Sequence, residues 1–410
     1  MKLKTANRRK KFTLGVFLPA AYQGGSLRGA KNIAKMLKLG SQYHGEEITV
    51  VFSCVENVYD IKQEFADLLE LDIVVRETKW AEISREEADI AMVFNGGKKL
   101  LNDEGYLVPT DGIANFSDCD FWLIVSDRTE LPLLPTRPYG VVIYDYIQRY
   151  VPEIFGSYFE RPFLSTARKA EFIFVTTPQT RNDVIQYVGI SSERVILIPM
   201  EFNSLSLMAE KSKRKKDYFI WTTNSTDHKN HFRAFEALDI YYKKYAGNFD
   251  IYITGPFSSI FFDKDIEPKF KSEHVLKTRK LLKEKQFLKS KINILGNLQD
   301  DSYTEVLANA RFLWHPTLID NGTFSVIEAA YYEVPSLSSD YPQMQYIDQR
   351  FKLNLSFTDP LCSETMAEDL AKMEKNCNEK SQLLPDKEYL GQFTYKNLAP
   401  NFWTIVRERL

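Results

Sequence analysis

Residues 314–340 read WHPTLIDNGTFSVIEAAYYEVPSLSSD, and this stretch decides how the rest of the chain is understood. A short apolar run ends at His315-Pro316, small residues follow, and a helical pattern then continues to Val334-Pro335. Asp320 stands before the segment Asn321-Gly322-Thr323-Phe324-Ser325, and Glu328 stands about one turn into the helix. Gly322 with the small Thr323 and Ser325 lets backbone amides approach an anion closely. The helix start adds unpaired N–H groups and the positive end of its dipole. Glu328 is then placed to accept a pair of hydrogen bonds. A plain strand–turn–helix, with Asp320 or Asn321 as no more than a cap, would use the same residues.

Outward from this stretch, short apolar runs alternate with helical patterns, which predicts parallel sheets covered on both faces. Expected strands in the first half are FTLGVFL, ITVVFSCV, LDIVVRE, DIAMVFN, FWLIVS, YGVVIYDY and FIFVTT, with helices at 27–43 and 61–72 among them. The pattern pauses over 200–216, polar and charged, which reads as an interdomain linker. It restarts with DYFIWTT, FDIYITG, KINILGN, ARFLWHP and VPSLSSD, with helices between. The α/β class follows, as two doubly wound, Rossmann-like domains: 1–205, and 206–389. A terminal amphipathic helix over about 390–410 is expected to cross back to the first. Ligands in such sheets bind beyond the strand carboxyl ends, so function is sought in the loops after strands.

The chain has 410 residues, 44% of them hydrophobic, and a formal net charge of −2. Two to three domains with a sizeable core fit this length, and a dedicated nucleic-acid binder does not fit the charge. Basic runs at Lys2–Lys11 and Lys211–Lys216 read either as solvated segments or as a peripheral contact with an anionic membrane surface. Cys54, Cys119, Cys362 and Cys377 are far apart and read as free thiols in a reducing compartment. With no signal-like or membrane-spanning stretch, a cytoplasmic location is expected. His228 and His231 are three apart, but no third ligand of suitable spacing accompanies them, so no metal site is expected.

These residues resemble the retaining glycosyltransferases of family 4, which have the GT-B fold. The family's donor loop usually reads Glu-Gly-Phe-Gly-Leu-Pro-x-x-Glu-Ala before a helix ending in Gly-Val-Pro. DNGTFSVIEAAYYEVP matches it in spacing, with Asp320 for the first Glu and Glu328 for the second. The likeness covers most of residues 165–375. It implies that Asn321, Gly322, Thr323, Phe324, Ser325 and Glu328 hold the nucleotide sugar, that Leu298 joins them, and that Asp320 lies beside the reacting sugar carbon. In FIWTTNSTDHKNHF, Lys229 fits the family lysine that clamps the donor diphosphate. The family's Gly-Arg pair is absent; Thr222, Thr223 and Asn224 stand there, leaving Thr223 and Asn224 as hydrogen-bond donors. Arginine's planar grip cannot be reproduced by hydroxyls and an amide. In the first half, Gly24 and Gly25 match a Gly-Gly turn that contacts donor phosphate or acceptor, and Arg28 could reach an anion; the glycines could equally serve only the turn. Asp145 and Pro152-Glu153 fit a further family segment, with Tyr144 where a His is usual. Tyrosine is a poorer proton carrier near neutral pH, and buried aromatic packing is the plain alternative.

The resemblance implies a retaining hexosyltransferase that uses a nucleotide diphosphate sugar, without a metal or other cofactor. Its acceptor would be a glycan or lipid-linked glycan, as in O-antigen or capsule synthesis, with a donor leaning to deoxyhexose or mannose. Catalytic roles fall on Asp320, Lys229, Tyr144 and Asp145. Two other readings share the architecture: a sugar-nucleotide 2-epimerase, and a degenerate transferase acting as a binding subunit.

Overall fold

The protein is described by a computed structural model covering residues 11–97, 103–151, 160–202, 215–263, 272–321 and 324–410. The first sheet contains β1 (Phe12–Phe17), β2 (Ile48–Val55), β3 (Val74–Ser84), β4 (Gly105–Thr110), β5 (Phe121–Val125), β6 (Tyr139–Val142), β7 (Phe172–Val175) and β8 (Val195–Leu197). Their order is β4-β3-β2-β1-β5-β6-β7-β8, parallel except for the antiparallel edge pair β3/β4. The second sheet contains β9 (Tyr218–Thr222), β10 (Asp250–Thr254), β11 (Ile292–Gly296), β12 (Leu313–His315), β13 (Ser336–Ser339) and β14 (Ser356–Thr358). It runs β11-β10-β9-β12-β13-β14, with every pair parallel. Central strands such as β5, β6 and β7 are buried at every residue because helices cover both faces.

Each sheet reverses its winding once: between β1 and β5 in the first, between β9 and β12 in the second. A crevice opens at such a reversal because the flanking loops turn to opposite faces.

The chain crosses between the sheets twice. Phe202 donates its backbone N–H to Phe393 O at 3.1 Å and bridges Thr394, so the two crossings run side by side. The terminal helix Tyr395–Arg407 then packs on the helix Gly25–Tyr43, burying Phe402, Trp403 and Val406 in the first domain's core. Gly40 permits the approach: a Cβ there would lie 2.2 Å from Ala399 O. Trp403 Nε1 donates to Glu46 at 3.1 Å, and Arg407 pairs with Glu46 at 2.5 Å.

One expected strand is corrected. DIAMVFN, residues 89–95, lies mostly in the helix Arg85–Phe94. Ser84 and Glu87 form a reciprocal capping box, and Ala88 and Met92 bury one face four residues apart. The local cap outweighs the apolar run. The edge strand β4 and the short β14 were not anticipated. The centre of the expected linker, 203–214, and with it the proposed boundary at 206, lies outside the described residues. Among the described residues no helix is long and apolar enough to cross a membrane.

Candidate active site

A cleft of about 910 Å³ lies between the two sheets, lined from both domains by the loops after β1, β5, β6, β9, β12 and their neighbours. Both winding reversals therefore face one cavity. Gly24, Gly25, Tyr144, Asp145, Thr223, Asn224, Lys229, Leu298, Asp320, Asn321, Phe324, Ser325 and Glu328 all line it. Gly322 and Thr323 lie outside the described residues, as do Pro152 and Glu153.

At the second reversal, Lys229 Nζ meets Asp320 Oδ2 at 2.5 Å, joining the loop after β9 to the loop after β12. The lysine is held by its neighbours. Asn230 adopts a left-handed conformation (φ 62°) and donates from Nδ2 to Pro316 O at 3.0 Å and Pro360 O at 2.7 Å. The backbone carbonyl of His228 accepts from Leu318 N–H at 2.8 Å. Burial alone would push the Asp320 carboxyl up, but the Lys229 ammonium overcomes this and holds it well below the usual carboxylate range. Beneath, His315 is buried between Ser338 Oγ (3.2 Å) and Thr317 Oγ1 (3.1 Å), with its pKa lowered to about 3 by that burial.

Glu328 is 3% exposed in the helix Phe324–Tyr331. Its Oε1 accepts from Arg28 Nη1 at 2.5 Å and its Oε2 from Tyr303 OH at 3.1 Å. Burial pushes this carboxyl up, and Arg28 offsets only part of that effect. Arg28 belongs to the opposite domain, one turn into the helix Gly25–Tyr43. Gly24, at φ 60° and ψ −132°, starts that helix in a conformation glycine adopts readily. The first turn carries no acidic residue and no side-chain cap.

Three candidates also make hydrogen bonds within the protein. Asn321 lines the cleft, yet its side chain is committed to the first domain. Its Oδ1 accepts from Thr177 (2.9 Å) and Thr180 (2.6 Å), and its Nδ2 donates to Thr176 Oγ1 (3.1 Å). The Thr223 hydroxyl bonds Asn224 O at 3.1 Å and His231 Nε2 at 3.0 Å. Asn224 Oδ1 accepts from the Thr226 backbone N–H at 3.1 Å. The Thr223 hydroxyl and the Asn224 side-chain oxygen are thus used within the loop after β9.

On the first domain, Asp145 Oδ1 accepts from Arg128 Nη2 at 3.2 Å, and Arg128 also reaches Gln148 Oε1 at 2.9 Å. Burial pushes the Asp145 carboxyl up, Arg128 pulls it down, and the facing Asp320 charge pushes it up again. Burial drives the Tyr144 phenol well above its ordinary value. Sequence reading missed Arg128, Tyr303 and Glu201. The Asp127-Arg128 pair after β5 was the available signal for the first; nothing local marked the other two.

No family model matches the sequence, and no curated protein matches it significantly. Solved structures do resemble it. The Anabaena protein HepE, determined with UDP and glucose, superimposes with TM-score 0.68 at 12% identity over 97% of this chain and 100% of that one. A glycosyltransferase from Rickettsia africae gives 0.61 at 14% identity, over 97% and 98%. The pneumococcal O-GlcNAc transferase GtfA, with UDP and GlcNAc, gives 0.59 at 12%, over 97% and 99%. At these identities the likeness establishes architecture: the chain has the GT-B fold, two Rossmann-like domains facing a shared cleft.

Proposed function

We propose that this protein is a nucleotide-sugar glycosyltransferase that moves a hexose to a hydroxyl of a glycan acceptor with retention of configuration. The observation that carries the reading is the Lys229–Asp320 pair at the β9/β12 reversal, in one cleft with the Gly24-Gly25 helix start and Glu328. Lys229 and the helix-start amides meet the diphosphate, Glu328 holds the ribose, and Asp320 lies beside the sugar. The bond from the anomeric carbon to the diphosphate oxygen breaks, and its electron pair leaves with the diphosphate. The acceptor oxygen bonds the same carbon from the same face, and its proton passes to the departing phosphate. Stabilising the leaving charge is the largest contribution, made by groups already in place and without a metal. The acceptor of this reading is a lipid-linked glycan of a bacterial surface polysaccharide. Neighbours solved with UDP and a sugar support a nucleotide-sugar donor.

The absence of an arginine after β9, with Thr223 and Asn224 engaged locally, favours a second reading as a binding subunit. Purified protein incubated with UDP-, GDP- and dTDP-hexoses separates them. Release of the matching nucleoside diphosphate, raised by a glycan acceptor, is expected. Binding without release supports the subunit reading, and an epimerised donor without acceptor supports an epimerase.

A further inference from the structure

In the proposed reaction the cleft admits a diphosphate, yet among the described residues eight carboxyl side chains line it against four cationic ones: Arg28, Lys31, Arg128 and Lys229. Lys229 is the only one of the four that the second domain contributes, and it is already paired with Asp320. A diphosphate carries more charge than such a lysine offsets. Lys31 pairs with Asp67 at 3.0 Å and donates to Glu64 O at 2.6 Å. Arg128 is bound to Asp145 and Gln148. The proposed donor displaces none of these partners. Arg28 differs, because its anchor at 2.5 Å is Glu328, the carboxylate assigned to the ribose. Its Nη2 lies 3.9 Å from Asp300 Oδ1, beyond hydrogen-bonding distance. Glu328 is 3% exposed and has both oxygens engaged, one by Arg28 and one by Tyr303. Ribose hydroxyls therefore reach it only by displacing the arginine.

We propose that Arg28 is handed from Glu328 to the donor diphosphate as the ribose arrives, so that the first domain supplies a second cation to the leaving group. The inference rests on the glycosyltransferase reading and adds to it a residue that ties the clamp to the presence of a nucleoside. A largely buried guanidinium that loses its carboxylate needs another anion. The diphosphate begins one carbon beyond the ribose ring, so the two groups that exchange the arginine are neighbours in the ligand itself. Arginine's planar fork can hold a phosphate through two N–H bonds, which a lysine cannot do. Phe324 keeps the two sides of the exchange together. Its ring lies 3.7 Å from where a Cβ on Gly25 would stand and 3.9 Å from one on Gly29, so it packs against the first turn of the helix that carries Arg28. An anion without a ribose has to take the arginine from Glu328 unaided. The pair therefore discriminates against bare phosphates in favour of nucleotides.

The test uses the full-length chain, with UDP, GDP, dTDP and inorganic pyrophosphate as calorimetric probes. Arg28→Gln, which can still donate to Glu328, is expected to weaken the matching nucleoside diphosphate roughly ten- to a hundredfold, the worth of a charge-assisted bond. Glu328→Gln releases the arginine and is expected to raise pyrophosphate affinity at least threefold. The double variant Arg28→Gln with Glu328→Gln should lose that gain, which a merely structural arginine would not influence. Arg28→Lys keeps the charge, should bind the nucleoside diphosphate with intermediate affinity, and carries the test if Arg28→Gln fails to fold. Nucleoside diphosphate affinity that is unchanged or raised in the folded arginine variants overturns the handover alone. So does pyrophosphate affinity that ignores Glu328→Gln, or a gain that survives in the double variant. A wild type that binds none of the three nucleoside diphosphates overturns the transferase reading and this inference together.

Discussion

Arg28 and Glu328 are 300 residues apart in the chain and 2.5 Å apart in space, joined across the cleft between the two domains. In the proposed reaction a ribose meets this same carboxylate. Glu328 is thus satisfied before any nucleotide arrives, which avoids a buried, unpaired charge. Arg28→Met should expose that cost, destabilising the protein by about 3–5 kcal/mol, because breaking one side of a buried pair strands the other. Adding Glu328→Gln should recover much of the loss. Urea midpoints of the two single variants and the double variant check this, and additive losses would show that the pair is not coupled.

Lys229→Ala removes the cation that the proposed reaction assigns to the leaving diphosphate. A charge-assisted contact of this kind is worth about 1.5–3 kcal/mol, so kcat/KM for the donor should fall roughly ten- to a hundredfold. An unchanged rate in a folded variant would remove Lys229 from the proposed chemistry.

Asp320→Asn and Glu328→Gln should fail in different ways. Glu328 would contact the ribose in ground and transition states alike, so its loss should chiefly raise the donor KM. Asp320 would face the sugar as positive charge develops, so kcat should fall further than affinity. Steady-state kinetics with donor titration calorimetry separates the two patterns. Equal loss of affinity alone would reduce Asp320 to a turn residue.

Activity should survive a strong chelator, because the proposal assigns the leaving charge to Lys229 and backbone amides. Complete loss restored by a divalent ion would contradict that assignment.

Stability should decline as the solution becomes acidic, partly through His315. Burial lowers its pKa from 6.5 to about 3 in the folded protein. The unfolded chain therefore takes up a proton that the native protein refuses, and stability falls as pH drops from 6.5 towards 3. Between pH 7 and pH 5 this one residue accounts for about 2 kcal/mol. His315→Asn should make the denaturation midpoint correspondingly less sensitive to pH over that interval. His228, also lowered to about 3 by burial, would retain its own contribution in the variant.

What the sequence by itself determined is local: apolar periodicity marked most strands, and small residues after β1 and β12 marked the turns that open each winding reversal. Such features arise within ten or fifteen residues, where backbone propensity and side-chain size act directly. Even there a capping box converted the 89–95 run into helix. The tertiary structure alone decided which polar groups line the cleft and which face each other. Asn321 looked like a loop residue for the donor, but three threonines about 145 positions earlier hold its amide. Arg28 meets Glu328, and Glu201 lies with Tyr144 near the point where the chain changes domain. The physical reason is that burial and pairing depend on the whole packing arrangement. A carboxyl's charge state follows from what surrounds it, and those neighbours are brought together only when the two sheets close on one cleft.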